Sequence, residues 1–580
     1  MPSTTALLTG LSGLNANARS IDVIGNNIAN VNTPAFKSSR VNFENQFSRT
    51  VSIGTEPGSS TGGTNPYQVG LGVQVSGTQR DMSDGSVSAT GDARDLAIEG
   101  AGFFTVRRGD GTFYTRAGAF RQDQDGALVT PGGERLQGFG VDENYNVVEG
   151  VLQDITIPIG ALTIAEATQN VNFTGNLDAD GERPTQGSLS LLTGIAGAGL
   201  TVIGQPAGAN LMQPGTPLVQ LEDPEQVGAG APLFAVGQRL EVRGVEKGGG
   251  ILSAQSLEVT ATTTAAELAA FLNDTFGIQD TGANPDGRVP GVVINGATGA
   301  IEITGNTGTA NSLSLDPSDL RVLNADGTLA RLPFEASNLA ESTGESVRTT
   351  FIAYDSLGAP LEVDITLTLD GASNTGTRWR YYVESPADSD AAIAVATGTL
   401  DFDTQGQLLT PVSPRISIDR AGTGAVTPLT FDLNFSTGAD NVTALADSQS
   451  SIAATFRDGA PRGDLASFGV GPDGVITGAF SNGLTRTLGQ VPLSMFRNPE
   501  GLVDDGSNLF SVGANSGPAV TATAGTLGAG SVIGGAIETS NVDLGAEFIG
   551  LISAQTGYSA SSRVIRTADE LIQQLLVIGR

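Results

Sequence analysis

The chain has 580 residues, no histidine, no cysteine and a formal net charge of -31 at pH 7. Without histidine and cysteine, the sequence excludes Ser-His-Asp and Cys-His catalysis, disulfides and the usual zinc sites. The acidic balance also argues against nucleic acid as a partner, because phosphate binding depends on clustered lysine and arginine.

The first predicted element is a long helix. From Leu7 to Ile28, apolar or small residues recur at spacings of four and three, which places them on one stripe of an α-helix. Asn32-Thr33-Pro34 predicts that this helix ends near Asn30, because the residue before a proline disfavours helix. No basic segment or cleavage pattern opens the chain, so we expect no cleaved secretory signal.

A connector and an inner β domain are predicted next. Residues 36–80 are polar and rich in Gly, Ser and Thr, and predict an extended connector with weak structure. Residues 81–165, together with 455–540, predict the inner β domain. There, Leu96–Val106 followed by Phe113–Tyr114 is typical of paired strands between Gly-rich turns.

Two further domains are predicted in the middle of the chain. Residues 166–190 with 341–454 predict an outer β domain, and residues 191–340 an outermost domain inserted within it. The strict alternation of Leu361–Asp370 predicts a half-buried strand, and Arg378–Glu384 is its predicted partner.

The insert contains one predicted helix. Thr264-Ala265-Ala266-Glu267 has the pattern of a capping box and precedes an apolar run.

A second long helix is predicted at the end of the chain, where Asp543 can cap it and Glu547 lies in its favourable first turn. The two apolar stripes predict that residues 1–35 and 541–580 pair as a helical coiled-coil domain. The candidate self-assembly residues of this domain are Leu7, Leu11, Leu14, Ala18, Ile21, Ile28, Leu551, Ala554, Tyr558, Ile565, Ala568, Ile572 and Leu575.

The fold class that follows is a mainly β multidomain body of sandwich-like or barrel-like domains with nested insertions, closed by paired N- and C-terminal helices. Charge supports association at the ends. Residues 1–50 carry four basic and two acidic residues, and residues 541–580 carry three basic and four acidic ones, so both ends are nearly neutral. The remaining residues, 51–540, therefore hold a net charge of -32. The alternative is a helix pair that only closes a monomer, but such a pair leaves residues such as Leu8 and Phe548 uncovered.

No catalytic, cofactor-binding or metal-binding residues are predicted. Asp123–Gly126 and Asp178–Gly181 suggest calcium, but the remaining EF-hand ligands are missing, so ordinary Asp-Gly turns are the preferred interpretation. The longest uncharged apolar run, Leu189–Gly204, is too short and too rich in glycine to span a bilayer.

Several motifs resemble those of the bacterial flagellar rod, hook and junction proteins. Asn26–Pro34 with Phe36-Lys37 resembles the N-terminal signature of that family. Leu96–Phe104 and Tyr114–Gly118 narrow the resemblance to the rod and hook group, and Ser540–Leu544 resembles the group's C-terminal signature. The length of the chain favours the hook subunits. Ala35 departs from the family pattern, which usually has glycine there.

The resemblance implies a structural subunit that forms a curved tubular homopolymer acting as a universal joint. It implies as partners other copies of the chain, the distal rod, hook cap and hook-filament junction proteins, and the flagellar export apparatus. An extracellular location in the flagellum, reached without a cleaved signal, is also implied. A secreted adhesin or surface-layer protein is the alternative, and a carboxylate-based glycosidase is a third possibility.

Overall fold

The computed structural model divides the chain into two compact units, Met1–Thr163 with Gly463–Arg580 and Ile164–Arg462. The ranges that the structure describes are 2–160, 162–205, 211–226, 228–390, 392–409, 413–437 and 440–578. The finer division into inner, outer and inserted domains stays a prediction.

Two long helices belong to the first unit. Helix α1 covers Pro2–Ala29, and its end confirms the stop predicted from Asn32-Thr33-Pro34. The C-terminal helix covers Leu544–Ile578. An Asp543 carboxylate oxygen accepts from the Gly545 amide at 2.8 Å and the Ala546 amide at 3.2 Å, which confirms the predicted cap.

The connector after α1 forms paired strands, so the expectation of weak structure is wrong. Ser39–Asn45 pairs antiparallel with Val73–Arg80, and Ser48–Ser52 pairs with Tyr67–Gly70. Together these two strand pairs form a narrow β-arm. The polar, Gly-rich composition did not predict these strands, because a two-stranded ribbon buries little apolar surface and so needs few apolar residues.

Antiparallel strands make up the rest of the first unit. The largest sheet has the strand order Val503–Gly506, Leu509–Ser511, Gly111–Thr115, Phe104–Arg108, Arg135–Gly138, Leu128–Val129 and Arg121–Gln122, with Gln153–Asp154 beside Arg135–Gly138. Smaller pairs are Leu493–Met495 with Val520–Ala522, Ser531–Gly534 with Leu96–Glu99, and Ala536–Glu538 with Val87–Ala89. Ala460–Val470, Val475–Phe480 and Thr485–Gln490 are consecutive antiparallel strands.

The predicted run Leu96–Val106 is two strands, because Gly100 and Gly102 interrupt it at φ 98° and 134°. Its second half pairs with Gly111–Thr115 as expected. Its first half pairs with Ser531–Gly534 from the far end of the chain.

The second unit contains two apolar cores. The first core draws its buried residues from between Leu192 and Phe334. Its strands are Leu189–Thr193, Arg239–Val242, Glu246–Lys247, Gly250–Ile251, Gln255–Glu258, Gly291–Asn295, Ala300–Thr304, Leu313–Ser314, Leu320–Leu323, Leu329–Arg331 and Glu335–Ala340. Helix α2, Ala265–Thr275, begins at the predicted capping box, since Thr264 and Glu267 cap each other's backbone amides.

The second core draws on Val171–Leu177 and on residues from Phe351 to Ile452. Its strands are Asn170–Asp178, Ser346–Tyr354, Pro360–Ser373, Gly376–Glu384, Ala394–Phe402, Arg415–Ile418, Leu429–Asn434, Ser436–Thr437, Asp440–Leu445 and Ser451–Arg457. Thr163–Glu166 is a further strand, at the boundary between the two units.

Pro360–Ser373 pairs with Gly376–Glu384, which confirms the predicted pairing. The expectation that this strand is half-buried is wrong, because Asp364, Thr366 and Thr368 are buried along with the apolar residues between them. The second face is covered at Thr368, whose hydroxyl lies 3.4 Å from the Thr307 carbonyl oxygen and from Asn311 Nδ2.

Candidate functional site

The two long helices, α1 and the C-terminal helix that we now call α3, pack against each other in antiparallel orientation. Gly10 lies against Ile565 near one end of the pair, and Ile24 lies against Gly550 near the other. A Cβ on Gly10 would lie only 2.9 Å from Ile565 Cγ1, so the glycine lets the helices approach closely.

The predicted stripe of α3 lies in part on its contact line with α1. Ala554 and Ala568 are buried, and Ile565 packs on Gly10. Leu551 and Ile572 are half-buried, whereas Tyr558 is 39% exposed. Leu575 lies within α3, but its side chain is outside the described part of the chain.

On α1 the contact line runs beside the predicted stripe. Gly10, Gly13, Asn17, Ile24 and Asn27 face α3. Leu7, Leu14, Ala18, Ile21 and Ile28 are half-buried, and Leu11 is 45% exposed. Gly10 and Gly13 let the helices approach closely at one end of this line, whereas Asn17, Ile24 and Asn27 continue it toward the other end. Apolar periodicity alone does not select such a mixed line. Whether the predicted residues act in self-assembly stays a prediction.

Asn27, near the C-terminal end of α1, links α1 to α3 and to the β-arm. The sequence analysis did not predict this role. Its side chain is buried and donates to the Ser39 carbonyl at 2.8 Å and to Glu547 Oε1 at 2.9 Å. Its Oδ1 accepts from the Ser39 amide at 3.0 Å. One side chain therefore joins α1, α3 and the first strand of the β-arm.

A buried charge cluster lies just beyond the helix pair. Lys37 Nζ is 2.6 Å from Glu538 Oε1, and these side chains are 1% and 0% exposed. Arg116 Nη1 lies 3.4 Å from Glu538 Oε2 and 3.1 Å from Asp84 Oδ1. Lys37 also donates to the Ser83 carbonyl at 2.6 Å.

Burial lowers the pKa of the Lys37 ammonium from its usual value, while Glu538 opposes that change. Removing one partner of such a cluster leaves an unpaired buried charge, which costs several kcal/mol. Lys37 and Arg116 belong to separate sequence motifs, and the fold brings both to Glu538. The cluster therefore fixes the segments that follow α1 and precede α3 to the β-rich part of the first unit.

Two asparagines also hold the segments that follow α1 and precede α3. The Ser38 amide donates to Asn541 Oδ1 at 2.8 Å, and Asn541 Nδ2 donates to the Asp81 carbonyl at 3.0 Å. Asn508 Nδ2 donates to the Pro34 carbonyl at 2.8 Å. These bonds hold the backbone of the turn after α1, where Ala35 has a φ of 56°.

The described residues contain no group of three or more Asp and Glu side chains placed to hold a metal ion. Among the described helices, none is long and apolar enough to cross a membrane. What these residues do build is a close helix pair, a set of asparagine hydrogen bonds and a buried ion-pair cluster.

Four family models match the chain in order. They are Flagella basal body rod protein at residues 7–37, Flagellar hook protein FlgE/F/G D1 domain at 97–177, Flagellar basal body protein FlaE D2 domain at 323–460 and Flagellar basal body rod FlgEFG protein C-terminal at 533–577. The first and last of these models cover most of α1 and α3, which form the helix pair.

Similar proteins match over almost the whole chain. The flagellar hook protein FlgE of Treponema pallidum is 28% identical, with 99% of both chains covered. The flagellar hook protein FlgE of Borreliella burgdorferi is 29% identical, with 98% of both chains covered. The crystal structure of Helicobacter pylori flagellar hook protein FlgE2 aligns with a TM-score of 0.37 at 17% identity, over 77% of this chain and 98% of that chain.

These matches favour the hook subunit and give no support to the adhesin alternative or to an enzyme. The order of the family models and the near-complete coverage by hook proteins lead to one conclusion. The chain belongs to the flagellar hook protein family, as a structural protein of the bacterial flagellum.

Proposed function

We propose that this chain polymerises into the flagellar hook through its paired ends. The single observation that supports this most strongly is the close helix pair, which leaves apolar residues on its outer side. Ile549 is 69% exposed and Leu576 is 68% exposed in the single chain. Neighbouring copies would cover these residues, with the helix pairs forming an inner tube and the β-rich domains lying outside it.

A tube of this kind needs heterologous contacts that do not close into a ring. In our proposal the self-assembly residues of α1 and α3 form the tight inner contacts, and the acidic outer surfaces form looser contacts that slide when the tube bends. The hook would then act as a universal joint between rod and filament.

The finer partners follow from the family. We infer that the polymer contacts the distal rod at one end and the hook-filament junction proteins at the other. Assembly would proceed under a hook cap, after passage through the flagellar export apparatus. We also propose the nested domain order, in which residues 191–340 extend outward from the domain of residues 166–190 and 341–454.

Ile565→Asp tests the proposal. The carboxylate would lie against Gly10 in the half-buried contact between the helices, where its desolvation and the loss of the apolar side chain both oppose pairing. We expect cells whose hook gene carries this variant to be non-motile and to lack hooks in electron micrographs. The purified subunit should keep its β content in circular dichroism, because its sheets lie elsewhere.

The matched control is Gln555→Asp, which adds the same carboxylate at an exposed position of the same helix. We expect hooks on these cells. Normal hooks and swimming in the Ile565→Asp strain would contradict the paired-end proposal.

A further inference from the structure

One turn of the first unit carries two unfavourable features on a single residue. Residues 526–529 form a tight turn in which the Ala529 amide donates to the Thr526 carbonyl at 2.8 Å. Its two central residues, Leu527 and Gly528, have φ of 50° and 82°. These angles are typical of a type I′ turn, which strongly prefers Asn, Asp or Gly at the position that Leu527 occupies.

The side chain of Leu527 gains nothing within the chain, because it is 85% exposed. A leucine in the left-handed region is strained, and its exposed apolar surface adds no stability to the monomer. Strain that the fold does not need is a feature of contact and binding sites.

The stretch of sequence that contains this turn is also unusual in its charge. Residues 506–537 contain no Asp, Glu, Lys or Arg, although the whole chain carries -31. Val512 and Val520 in the same segment are about half exposed. Exposed Glu99 pairs with Ser531 beside the turn, but the turn itself carries no charge. Two copies of so acidic a chain repel each other, and a contact made through an uncharged turn adds no like-charge opposition of its own.

We propose that Leu527 is a subunit contact, which inserts into a second copy of this chain in the polymer. The inference rests on the proposed function, since it requires that the chain polymerises. It adds a specific residue outside the helix pair. The contact is heterologous, because a knob on one surface must meet a different surface of the next copy.

The test is Leu527→Asn, which supplies the residue that a type I′ turn prefers and removes the apolar side chain. We expect the purified monomer to unfold at a higher urea concentration than the original chain. We expect its critical concentration for polymerisation to rise at least tenfold, since burial of a leucine is lost at every contact. Stability and assembly should thus change in opposite directions.

Two further variants make the result specific. Leu527→Met keeps an apolar side chain of similar volume and should polymerise at a lower critical concentration than Leu527→Asn, because leucine and methionine exchange at little cost. Val151→Asn removes another highly exposed apolar side chain and should leave the critical concentration unchanged.

Polymerisation of Leu527→Asn at the original critical concentration would overturn the inference, and so would a less stable monomer. Failure of the original chain to polymerise under the same conditions would instead overturn the proposed function, and this inference with it.

Discussion

Ala35 shows how a single residue can depart from a family pattern at little cost. Its φ of 56° lies in the left-handed region, where glycine is favoured. Its backbone amide donates to the Glu538 carbonyl at 2.9 Å, and this bond holds the left-handed conformation. The glycine that the family usually has at this position is explained by the backbone.

Ala35→Gly should be nearly neutral. Relief of left-handed strain gains about 1–2 kcal/mol. Loss of a buried methyl group costs about 0.8 kcal/mol, and the greater freedom of the unfolded chain costs about 0.4–1 kcal/mol. These contributions nearly cancel, so amide hydrogen exchange of the assembled polymer around residue 35 should be unchanged.

The control for this prediction is Ala16→Gly, at another buried alanine but inside α1. Nothing offsets its costs, and the helix should lose about 1–2 kcal/mol. Equal loss of exchange protection in both variants would show that Ala35 is unstrained.

At the scale of elements, the two ends of residues 188–342 lie side by side within the second unit. The Ser188 amide donates to Ser342 Oγ at 2.7 Å, and the Thr343 amide donates to the Gln186 carbonyl at 3.1 Å. The segment carries its own apolar core. It is also fastened to its neighbour, because Lys247 forms a buried ion pair with Glu384.

Replacing residues 188–342 with a two-residue Gly-Ser linker should give a folded subunit that still polymerises. Chain entropy changes slowly with loop length, and Glu384 would face water once the segment is gone. We expect electron micrographs to show hooks of altered curvature or stiffness. An insoluble product would mean that the neighbouring core needs this segment. The control is a variant that is shortened only at residues 280–288.

Sequence reasoning found the elements whose signal is local. The capping box at Thr264, the cap at Asp543 and the pairing of Pro360–Ser373 with the next strand all depend on neighbouring residues. It missed the partners of Leu96–Glu99, the fastening by Asn27 and the cluster at Glu538. These depend on contacts between residues hundreds of positions apart, which spacing and periodicity do not encode.

The whole molecule is acidic, with 61 acidic and 30 basic residues. Each copy therefore repels the next over distances set by the salt concentration. The Debye length is about 30 Å at 0.01 M salt and about 8 Å at 0.15 M. Contacts between copies must therefore form against this repulsion.

Polymerisation of the purified chain should accordingly be easier in salt. We expect a lower critical concentration at 0.15 M than at 0.01 M sodium chloride, measured by sedimentation of polymer. Potassium chloride at the same ionic strength should act equally, because screening does not depend on which of these cations is present. A critical concentration that rises with salt would mean that ion pairs between copies hold the polymer together.

The distance in sequence between Lys37 and Glu538, 501 residues, has a consequence for synthesis. At a translation rate of about 5–20 residues per second, Glu538 is made roughly 25–100 s after Lys37. Throughout that interval α1 has no α3 to pair with, and the buried cluster cannot close. A chain that terminates before residue 538 lacks both Glu538 and α3, so it can form neither the buried cluster nor the helix pair.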